Sequence, residues 1–468
     1  MKHLFRLAII LALATGAWAQ WSSDPATNLP LADNNNGSDQ VQPKVVPYGT
    51  AGGYVSWFDA NPDSPPPIGY SVYYQLLNRH GYEQFHHGGL GVAHLTNSST
   101  EDYGLDVDAQ GNALLAFLDT REGSNQQVTA AKMSPHGQPL WGTLGVQLTN
   151  SSTDSFAAPK IAATSDGGIV VAWTDNSNVV AQKLNADGVP QWGSGVVFSQ
   201  SNYEYLLADL HAADNGSVII SWVSSQGFGS NSLLVANKIS ASGTLLWGAG
   251  NVSIFTNGSL QFGNFPYFVP DGSGGAVFDW YTNGPTLQVY AQHILADGTA
   301  AFPAGGVAVS SNTNNVRVSP TAVYRASTGE VFVFWTEEDA NQVVNGVYGQ
   351  KFNSTGVPQW GATGLVIVPL GADQQIFVTA SQVGSGALVY WVDEVGYGDA
   401  TIQATKLSDS GSVTCSQFVV SSTPANKSRL VATTAPGGYS ALAFEDDHIG
   451  NNGIYIQNVN PNCSLGLQ

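Results

Sequence analysis

A unit of about 55 residues repeats along this chain, and the repeat constrains the fold more than any other feature. Thr-Asn-Ser-Ser-Thr occurs at 96–100 and again at 149–153, and Gly-Val-Pro-Gln-Trp-Gly occurs at 188–193 and at 356–361. The offsets of 53 and 168 residues correspond to one and three copies of the unit. Such a period is typical of architectures in which neighbouring units bury one another's apolar faces.

Each unit reads as four short β-strands joined by turns. Apolar runs of β-branched and aromatic residues alternate with turn signals such as Asp166-Gly167 and Asp187-Gly188, which favours strands connected by hairpins. An aromatic residue in the second predicted strand recurs at intervals of 49 to 60 residues, at Trp57, Phe117, Trp173, Trp222, Trp280, Trp335, Trp391 and Phe444. A second aromatic follows a turn glycine by four residues, at Phe85, Trp141, Trp192, Trp247, Phe302 and Trp360.

Eight such units predict an all-β fold, a single eight-bladed β-propeller with four antiparallel strands per blade. The predicted blades lie near 41–95, 96–149, 150–199, 200–256, 257–310, 311–368, 369–422 and 423–468. The eighth unit ends without room for a fourth strand, whereas residues 21–33 resemble the end of the other units. We therefore expect the N-terminal strand to complete the eighth blade, which would close the ring and remove its sheet edges.

The chain has two cysteines, Cys415 and Cys463. Cys415 stands where the second aromatic would be in unit seven, and Cys463 lies in the matching region of unit eight. A disulfide between these neighbouring blades is predicted, and the alternative is two separate buried thiols.

The signature Asp-Gly-x-x-x-Trp-Gly-x-x-Gly-Val, with Gly-Gly-x-x-x-x-Trp-x-Asp upstream, resembles the eight-bladed propeller repeats of secreted bacterial proteins, most of them uncharacterised. This resemblance covers essentially residues 20–468. It implies the fold and no particular chemistry. The spacing does not match the sialidase Asp-box, and the Asp-x-Asp-x-Asp-Gly calcium repeat of integrin-like propellers does not occur.

Charge and the N-terminus indicate where such a protein works. With 34 acidic and 15 basic residues the chain has a formal net charge of -19, which excludes the basic footprint that nucleic-acid binding requires. Lys2, His3 and Arg6 precede an apolar run and Ala17-Trp18-Ala19, so residues 1–19 read as a signal peptide cleaved near Ala19-Gln20. We expect a secreted monomer, extracellular or periplasmic, without a membrane span.

Acidic residues follow the second-strand aromatic by two positions in six units, and this places them on one face of the predicted ring. Acids in register with the repeat favour a strand-capping role, so we look for chemistry where the repeat is broken. The catalytic candidates are Glu338, Asp339, Glu445, Asp447 and His448. No cofactor is predicted, although Glu445, Asp446 and Asp447 together could hold a calcium ion.

Aromatic residues in the loops of the same face are the candidates for ligand binding. Rings beside carboxylates and amides suit sugars, because a ring can stack on the apolar side of a sugar; the alternative is loop packing around the channel. The candidates are Tyr203, Tyr205, Phe265, Tyr267, Tyr281 and Tyr397, with Asp63 in the loop 61–69.

These features favour a secreted binding module for a carbohydrate or a cell-surface protein over an enzyme. One alternative is an extracellular glycoside hydrolase or polysaccharide lyase acting in the central funnel, and another is a structural cell-surface protein. A strongly shifted carboxylate beside a second one in the funnel would favour the enzyme.

Overall fold

The computed structural model describes residues 20–34, 37–49, 52–60, 69–92, 102–120, 125–284 and 287–467. These residues form eight four-stranded antiparallel sheets in a ring, which confirms the predicted all-β, eight-bladed propeller. The predicted signal peptide and Asp63 lie outside the described residues. Within the described ranges, no helix is long and apolar enough to cross a membrane.

The strands follow the chain in blade order, after β1 (Leu29–Ala32). Blades 1 to 4 comprise β2 (Gln40–Tyr48), β3 (Gly52–Asp59), β4 (Ser71–Leu77), β5 (Leu90–Gly91); β6 (Gly104–Val107), β7 (Ala113–Asp119), β8 (Gln127–Met133), β9 (Val146–Gln147); β10 (Phe156–Ala163), β11 (Ile169–Asp175), β12 (Asn178–Leu184), β13 (Val196–Phe198); and β14 (Glu204–Ala212), β15 (Val218–Ser225), β16 (Leu233–Ile239), β17 (Val252–Phe255).

Blades 5 to 8 comprise β18 (Phe268–Pro270), β19 (Ala276–Tyr281), β20 (Val289–Ile294), β21 (Val307–Ala308); β22 (Asn315–Arg325), β23 (Glu330–Asp339), β24 (Asn345–Phe352), β25 (Leu365–Gly371); β26 (Gln374–Val383), β27 (Gly386–Glu394), β28 (Ala400–Leu407), β29 (Val413–Ala425); and β30 (Lys427–Thr434), β31 (Ser440–Asp446), β32 (Gly453–Val459) with β1. The N-terminal strand β1 pairs antiparallel with β32, as predicted, and thereby completes the eighth blade.

The cores lie between blades. Second strands such as β7 are buried along their whole length, because each blade packs against a neighbour on both of its faces. Trp222, for example, packs with Phe198 of the preceding blade, and their ring centroids lie 4.6 Å apart. The recurring second-strand aromatics therefore fill the space between blades, which explains why the repeat keeps a large ring at this position.

The second aromatic forms a contact between blades that we call the Trp–Gly contact. The ring of one blade lies under the turn glycine of the next, where a β-carbon placed on Gly243 would lie 3.2 Å from Trp192. Gly243 has a φ of 87°, a left-handed conformation that favours glycine. The Trp192 indole also donates a hydrogen bond of 3.2 Å to the carbonyl of Ala241 in the same turn.

The seam of the ring replaces this contact in two ways. Between blades 7 and 8, Cys415 takes the aromatic position and Cys463 the glycine position, and the two form a disulfide. Between blades 8 and 1, Trp21 of the segment before β1 packs on Gly81, and its indole donates to the carbonyl of Arg79 at 2.9 Å. Disulfides persist in oxidising compartments, so this pairing is compatible with an extracellular protein.

Candidate functional site

The first strand of each blade lines the central channel, and six of these eight strands carry a β-bulge near the mouth. Each bulge inserts one extra residue into the first strand. Five bulges hold a non-glycine residue with a left-handed φ of 47° to 57°: Gln42, Ala158, Ser319, Phe377 and Arg429. Bulges redirect side chains, and strained residues of this kind cluster at functional sites.

Proline explains part of this local structure. It follows the left-handed residue in three of the bulges, at Pro43, Pro159 and Pro320. Because proline has no N–H to donate to a β-ladder, it is tolerated where the ladder is interrupted. In two of the three bulges the next residue is a lysine, Lys44 or Lys160.

The channel contains two adjoining cavities. The outer cavity has a volume of about 1030 Å³ and is lined by Lys44, Asp102, Tyr267, Phe377, Arg429 and Glu445 among others. The inner cavity has a volume of about 250 Å³ and is lined by Lys160, Asp209 and His211, together with Lys44 and Tyr267. Lys44 and Tyr267 line both cavities, so the two form one continuous site at the mouth of the channel.

A four-residue network, which we call the Asp102 network, lies between these cavities. Asp102 precedes the first strand of blade 2, and Lys44 of blade 1 contacts its Oδ1 at 2.6 Å. Lys160 of blade 3 forms an ion pair with Oδ2 of Asp102. Tyr267 of blade 5 reaches across the channel, and its hydroxyl donates to the same Oδ2 at 2.7 Å.

The charges in this network shift each other's ionisation. Burial alone would raise the pKa of Asp102, but Lys160 and Lys44 outweigh burial and hold that pKa well below its usual range. Lys160 lowers the pKa of Tyr267, yet burial and Asp102 together raise it above its usual value. Tyr267 therefore stays protonated and serves as a hydrogen-bond donor, although 56% of its surface is open to the channel.

Deeper in the channel, His211 and Asp209 form a pair on the first strand of blade 4. Nε2 of His211 lies 3.0 Å from Oδ2 of Asp209, and 43% of the imidazole surface is open to the channel. Burial lowers the pKa of His211, but Asp209 outweighs it and the net pKa is raised. Nearby, burial raises the pKa of Asp106, whose two oxygens accept backbone hydrogen bonds from Val107 and Ala163 at 2.8 Å each.

The opposite wall of the outer cavity comes from blades 7 and 8. Glu445 accepts hydrogen bonds from the backbone N–H of Gln42 and from the hydroxyl of Ser428, both at 2.7 Å. Nε of Arg429 lies 3.4 Å from Oε1 of Glu445, and 53% of the Arg429 side chain is exposed. Phe377 is also exposed on this wall.

Two of the sequence-predicted catalytic candidates lie away from this site, in the β23–β24 hairpin. Oδ1 of Asp339 accepts backbone hydrogen bonds from Val343 at 2.7 Å and Val344 at 3.0 Å, which lower the pKa of Asp339. Glu338 accepts a hydrogen bond of 2.9 Å from the side chain of Gln342. Both carboxylates therefore order their own turn.

The structure separates the remaining acidic candidates. Glu445 lines the channel, whereas its neighbour Asp446 points to the other side of the strand, as alternation requires, and pairs with Lys427 and with Nδ1 of His448. Asp447 accepts hydrogen bonds from the backbone and side chain of Asn426. The three acids of the calcium hypothesis do not converge, and no group of three or more His, Cys, Asp or Glu side chains within the described ranges is arranged to hold a metal ion.

The aromatic candidates divide into buried, loop and channel residues. Tyr205 is buried against Trp222 in an interblade core, and its hydroxyl donates a hydrogen bond to Gln200. Its ring is therefore not exposed for ligand binding, contrary to the expectation from sequence. Tyr203 and Tyr281 are partly buried at the edges of such cores. Phe265 and Tyr397 are exposed in loops, and Tyr267 alone of the six candidates lines the cavities.

Sequence reasoning missed most of the residues that line the channel. Lys44, Asp102, Lys160, Asp209, His211 and Phe377 all belong to the first strands or the residues just before them. One signal was present: Pro-Lys recurs at 43–44 and 159–160, in a chain with 15 lysines and arginines.

No family model matches this chain, and no curated protein matches it. Similar solved structures include an ulvan lyase from a new family of polysaccharide lyases, with 12% identity, a TM-score of 0.46 and coverage of 94% of this chain and 96% of that one. A puromycin hydrolase has 12% identity, a TM-score of 0.45 and coverage of 92% and 61%.

An endo-arabinase from Bacteroides thetaiotaomicron has 10% identity and a TM-score of 0.33, with coverage of 76% of this chain and 92% of that one. The chain spans 61% of the length of the puromycin hydrolase and 55% of the prolyl oligopeptidase B of Galerina marginata. At such low sequence identities and TM-scores, none of the activities of these proteins is assigned to this chain.

Proposed function

We propose that this protein is a secreted carbohydrate-binding propeller whose ligand enters the mouth of the central channel. The observation that carries the proposal is the outer cavity, where exposed rings of Tyr267 and Phe377 stand beside polar groups of Arg429, Ser428 and Glu445. A ring offers a flat apolar surface to a sugar, and the exposed guanidinium of Arg429 in the same cavity can donate hydrogen bonds to its hydroxyls.

Binding is favoured over hydrolysis because the carboxylates at the mouth of the channel are already engaged. A glycosidase needs one carboxylic acid and one free carboxylate on either side of the scissile bond. Asp102 is held ionised between two lysines, and Glu445 accepts from Gln42 and Ser428. Neither is placed as a proton donor.

Aromatic variants test the proposal by glycan-array and titration measurements. Tyr267→Ala and Phe377→Asn each should weaken binding about five-fold or more, since each removes a stacking surface. Asn is chosen at 377 because it tolerates the left-handed backbone there. Tyr267→Phe keeps the ring and should retain most of the affinity.

The control is Tyr397→Ala, which removes an exposed ring on the same face but outside the cavities. We expect it to bind like the parent protein. The proposal is contradicted if the folded parent protein binds no glycan. It is also contradicted if Tyr397→Ala loses glycan affinity while Tyr267→Ala keeps it.

A second candidate, an enzyme acting on polysaccharide, is supported by one observation: the His211 imidazole, oriented by Asp209 and open to the channel. A positioned histidine of this kind suits general acid or base chemistry. The test is release of new sugar ends from pooled polysaccharides by the parent protein, compared with His211→Gln. Release that disappears in the variant supports this candidate, and no release by the parent protein rejects it.

A further inference from the structure

We infer that the carbohydrate bound in the channel carries an oxyanion, a carboxylate or a sulfate, held by Arg429 and Lys44. This inference rests on the proposed function and names its ligand class. The basis is an imbalance between hydrogen-bond donors and acceptors around the outer cavity.

The acceptors of the cavity are occupied by the protein itself. Oδ1 of Asp102 contacts Lys44, and Oδ2 contacts both Lys160 and Tyr267. Oε1 of Glu445 accepts from the backbone of Gln42 and faces Arg429, and Oε2 accepts from Ser428. Both carboxylates thus have protein donors on both oxygens, which leaves them little capacity for sugar hydroxyls.

Donors remain in excess. A guanidinium has five N–H groups, and the contact of Arg429 with Glu445 involves Nε. The exposed end of the guanidinium is the planar fork that suits a carboxylate or sulfate. An ammonium has three N–H groups, and Lys44 uses one toward Asp102. In the outer cavity two cations, Lys44 and Arg429, stand against two carboxylates, Asp102 and Glu445, so the charges balance there and the excess is of N–H donors over acceptors.

These cations are also distinct from the lysine–acid pairs that recur within blades. Lys132, Lys183 and Lys238 occupy equivalent positions near the ends of third strands, and each pairs with an acid in a turn of its own blade. Those pairs are part of the blade structure, on the face opposite the channel mouth. Lys44 and Lys160 instead lie on first strands, at equivalent positions just after the bulges of blades 1 and 3, and Arg429 is the left-handed residue of the bulge in blade 8. All three line the channel and do not belong to the lysine–acid pairs within blades.

Matched probes test the inference by titration at physiological ionic strength. Oligogalacturonate is compared with the same oligomer after methyl esterification, which masks the carboxylate. A sulfated galactan oligosaccharide is compared with its desulfated form. We expect at least one anionic member to bind about ten-fold or more tightly than its neutral partner, as expected for one charge-assisted contact.

The variants are Arg429→Asn and Arg429→Gly, both of which suit the left-handed φ of 50° at this residue and so preserve the fold. Either should abolish the preference for the anionic probe. The matched control is Arg79→Asn, which removes an exposed arginine from the opposite face and should leave the preference unchanged.

The outcomes separate this inference from the proposed function. Equal binding of neutral and anionic probes, lost in Tyr267→Ala, overturns the oxyanion and leaves carbohydrate binding in place. An anionic preference that survives in both Arg429 variants, or that falls equally in Arg79→Asn, also overturns the assignment. No binding of any glycan rejects the proposed function itself. The pair of probes that responds identifies the oxyanion as a carboxylate or a sulfate.

Discussion

A single buried acid, Asp279, departs from the pattern of the second strands. The residue before the second-strand aromatic is small in five blades and aromatic in blades 6 and 7, whereas blade 5 has an aspartate there; the small residues are Ser56, Ala116, Ala172, Ser221 and Ala443, and the aromatic ones are Phe334 and Tyr390. Burial raises the pKa of Asp279 to about 7, and a backbone hydrogen bond from Ala322 opposes this shift in part. The carboxyl group is therefore accommodated most easily in its neutral form.

This shift predicts a pH dependence of stability. The folded pKa of about 7 lies above the ordinary pKa of 3.8 for an aspartate, so Asp279 contributes stability fully only below about pH 4, and that contribution is lost as the pH rises through 7. Asp279→Asn should remove this part of the pH dependence and be more stable than the parent protein at pH 8. Urea unfolding between pH 5 and 8 measures it, with Asp187→Asn, in an exposed turn, as the control.

If the difference in unfolding free energy between the parent protein and Asp279→Asn stays the same from pH 5 to pH 8, the pKa of Asp279 is not raised into this range and the prediction is wrong. Asn at this position keeps the size of the side chain and the acceptor for Ala322. A loss of packing therefore does not complicate the comparison.

At the scale of elements, the Trp–Gly contact joins the hairpins between the third and fourth strands of neighbouring blades. An indole on one blade, a left-handed glycine on the next and one hydrogen bond recur in Trp141–Gly188, Trp192–Gly243, Trp247–Gly298 and Trp360–Gly411. The disulfide occupies the same two positions between blades 7 and 8. The covalent bond and the aromatic contact are thus alternative solutions at one location.

This equivalence predicts that one solution can replace the other. Cys415→Ala with Cys463→Gly should lower the free energy of unfolding by about 2–4 kcal/mol, the usual contribution of a disulfide. Cys415→Trp with Cys463→Gly recreates the Trp–Gly contact and should recover a measurable part of that loss. Denaturant unfolding compares the two, which differ only by the indole.

Equal stability of the two double variants would mean that blade 7 does not accept the ring, and the equivalence would be wrong. Glycine at 463 also relieves the cost of the left-handed φ of 69° that cysteine adopts there. Both variants share that change, so it cancels in the comparison.

For the whole molecule, the N-terminal segment ties three blades together. Ser422 of blade 7 donates its backbone N–H to the carbonyl of Pro25 at 2.9 Å, β1 pairs with blade 8, and Trp21 packs on blade 1. Ring closure therefore depends on a segment more than 380 residues before blade 8 in sequence. Without them, the edge of β32 and the Gly81 turn would be uncovered.

Removal of residues 20–34 should accordingly open the ring. We expect a lower unfolding temperature and concentration-dependent association through the exposed edge of β32, measured by thermal melting and light scattering. Addition of a synthetic peptide of residues 20–34 should reverse both effects. A truncated chain that stays monomeric and melts like the parent protein would contradict this role.

The blade count, the strand order and the closing strand could be predicted because they depend on local patterns. Alternating apolar runs, Asp-Gly turns and the recurring aromatics each act within one hairpin, and Trp57 or Trp173 needs only its own strand to be recognised. The site could not be predicted in this way. Tyr205 and Tyr267 look alike in sequence, yet one fills an interblade core and the other crosses the channel.

The sequence by itself thus determined the propeller, its eight blades and the aromatic and cysteine positions that join neighbouring blades. It could do so because the same local pattern of strands and turns occurs eight times. Tertiary structure decided the site. Lys160 and Tyr267 lie 58 and 165 residues from Asp102 in sequence, and they meet it only when the ring closes. A bulge directly precedes Lys44 and Lys160 on their strands, whereas Asp102 and Tyr267 lie just before first strands without a bulge. Contacts across a channel depend on ring geometry, which no local pattern encodes.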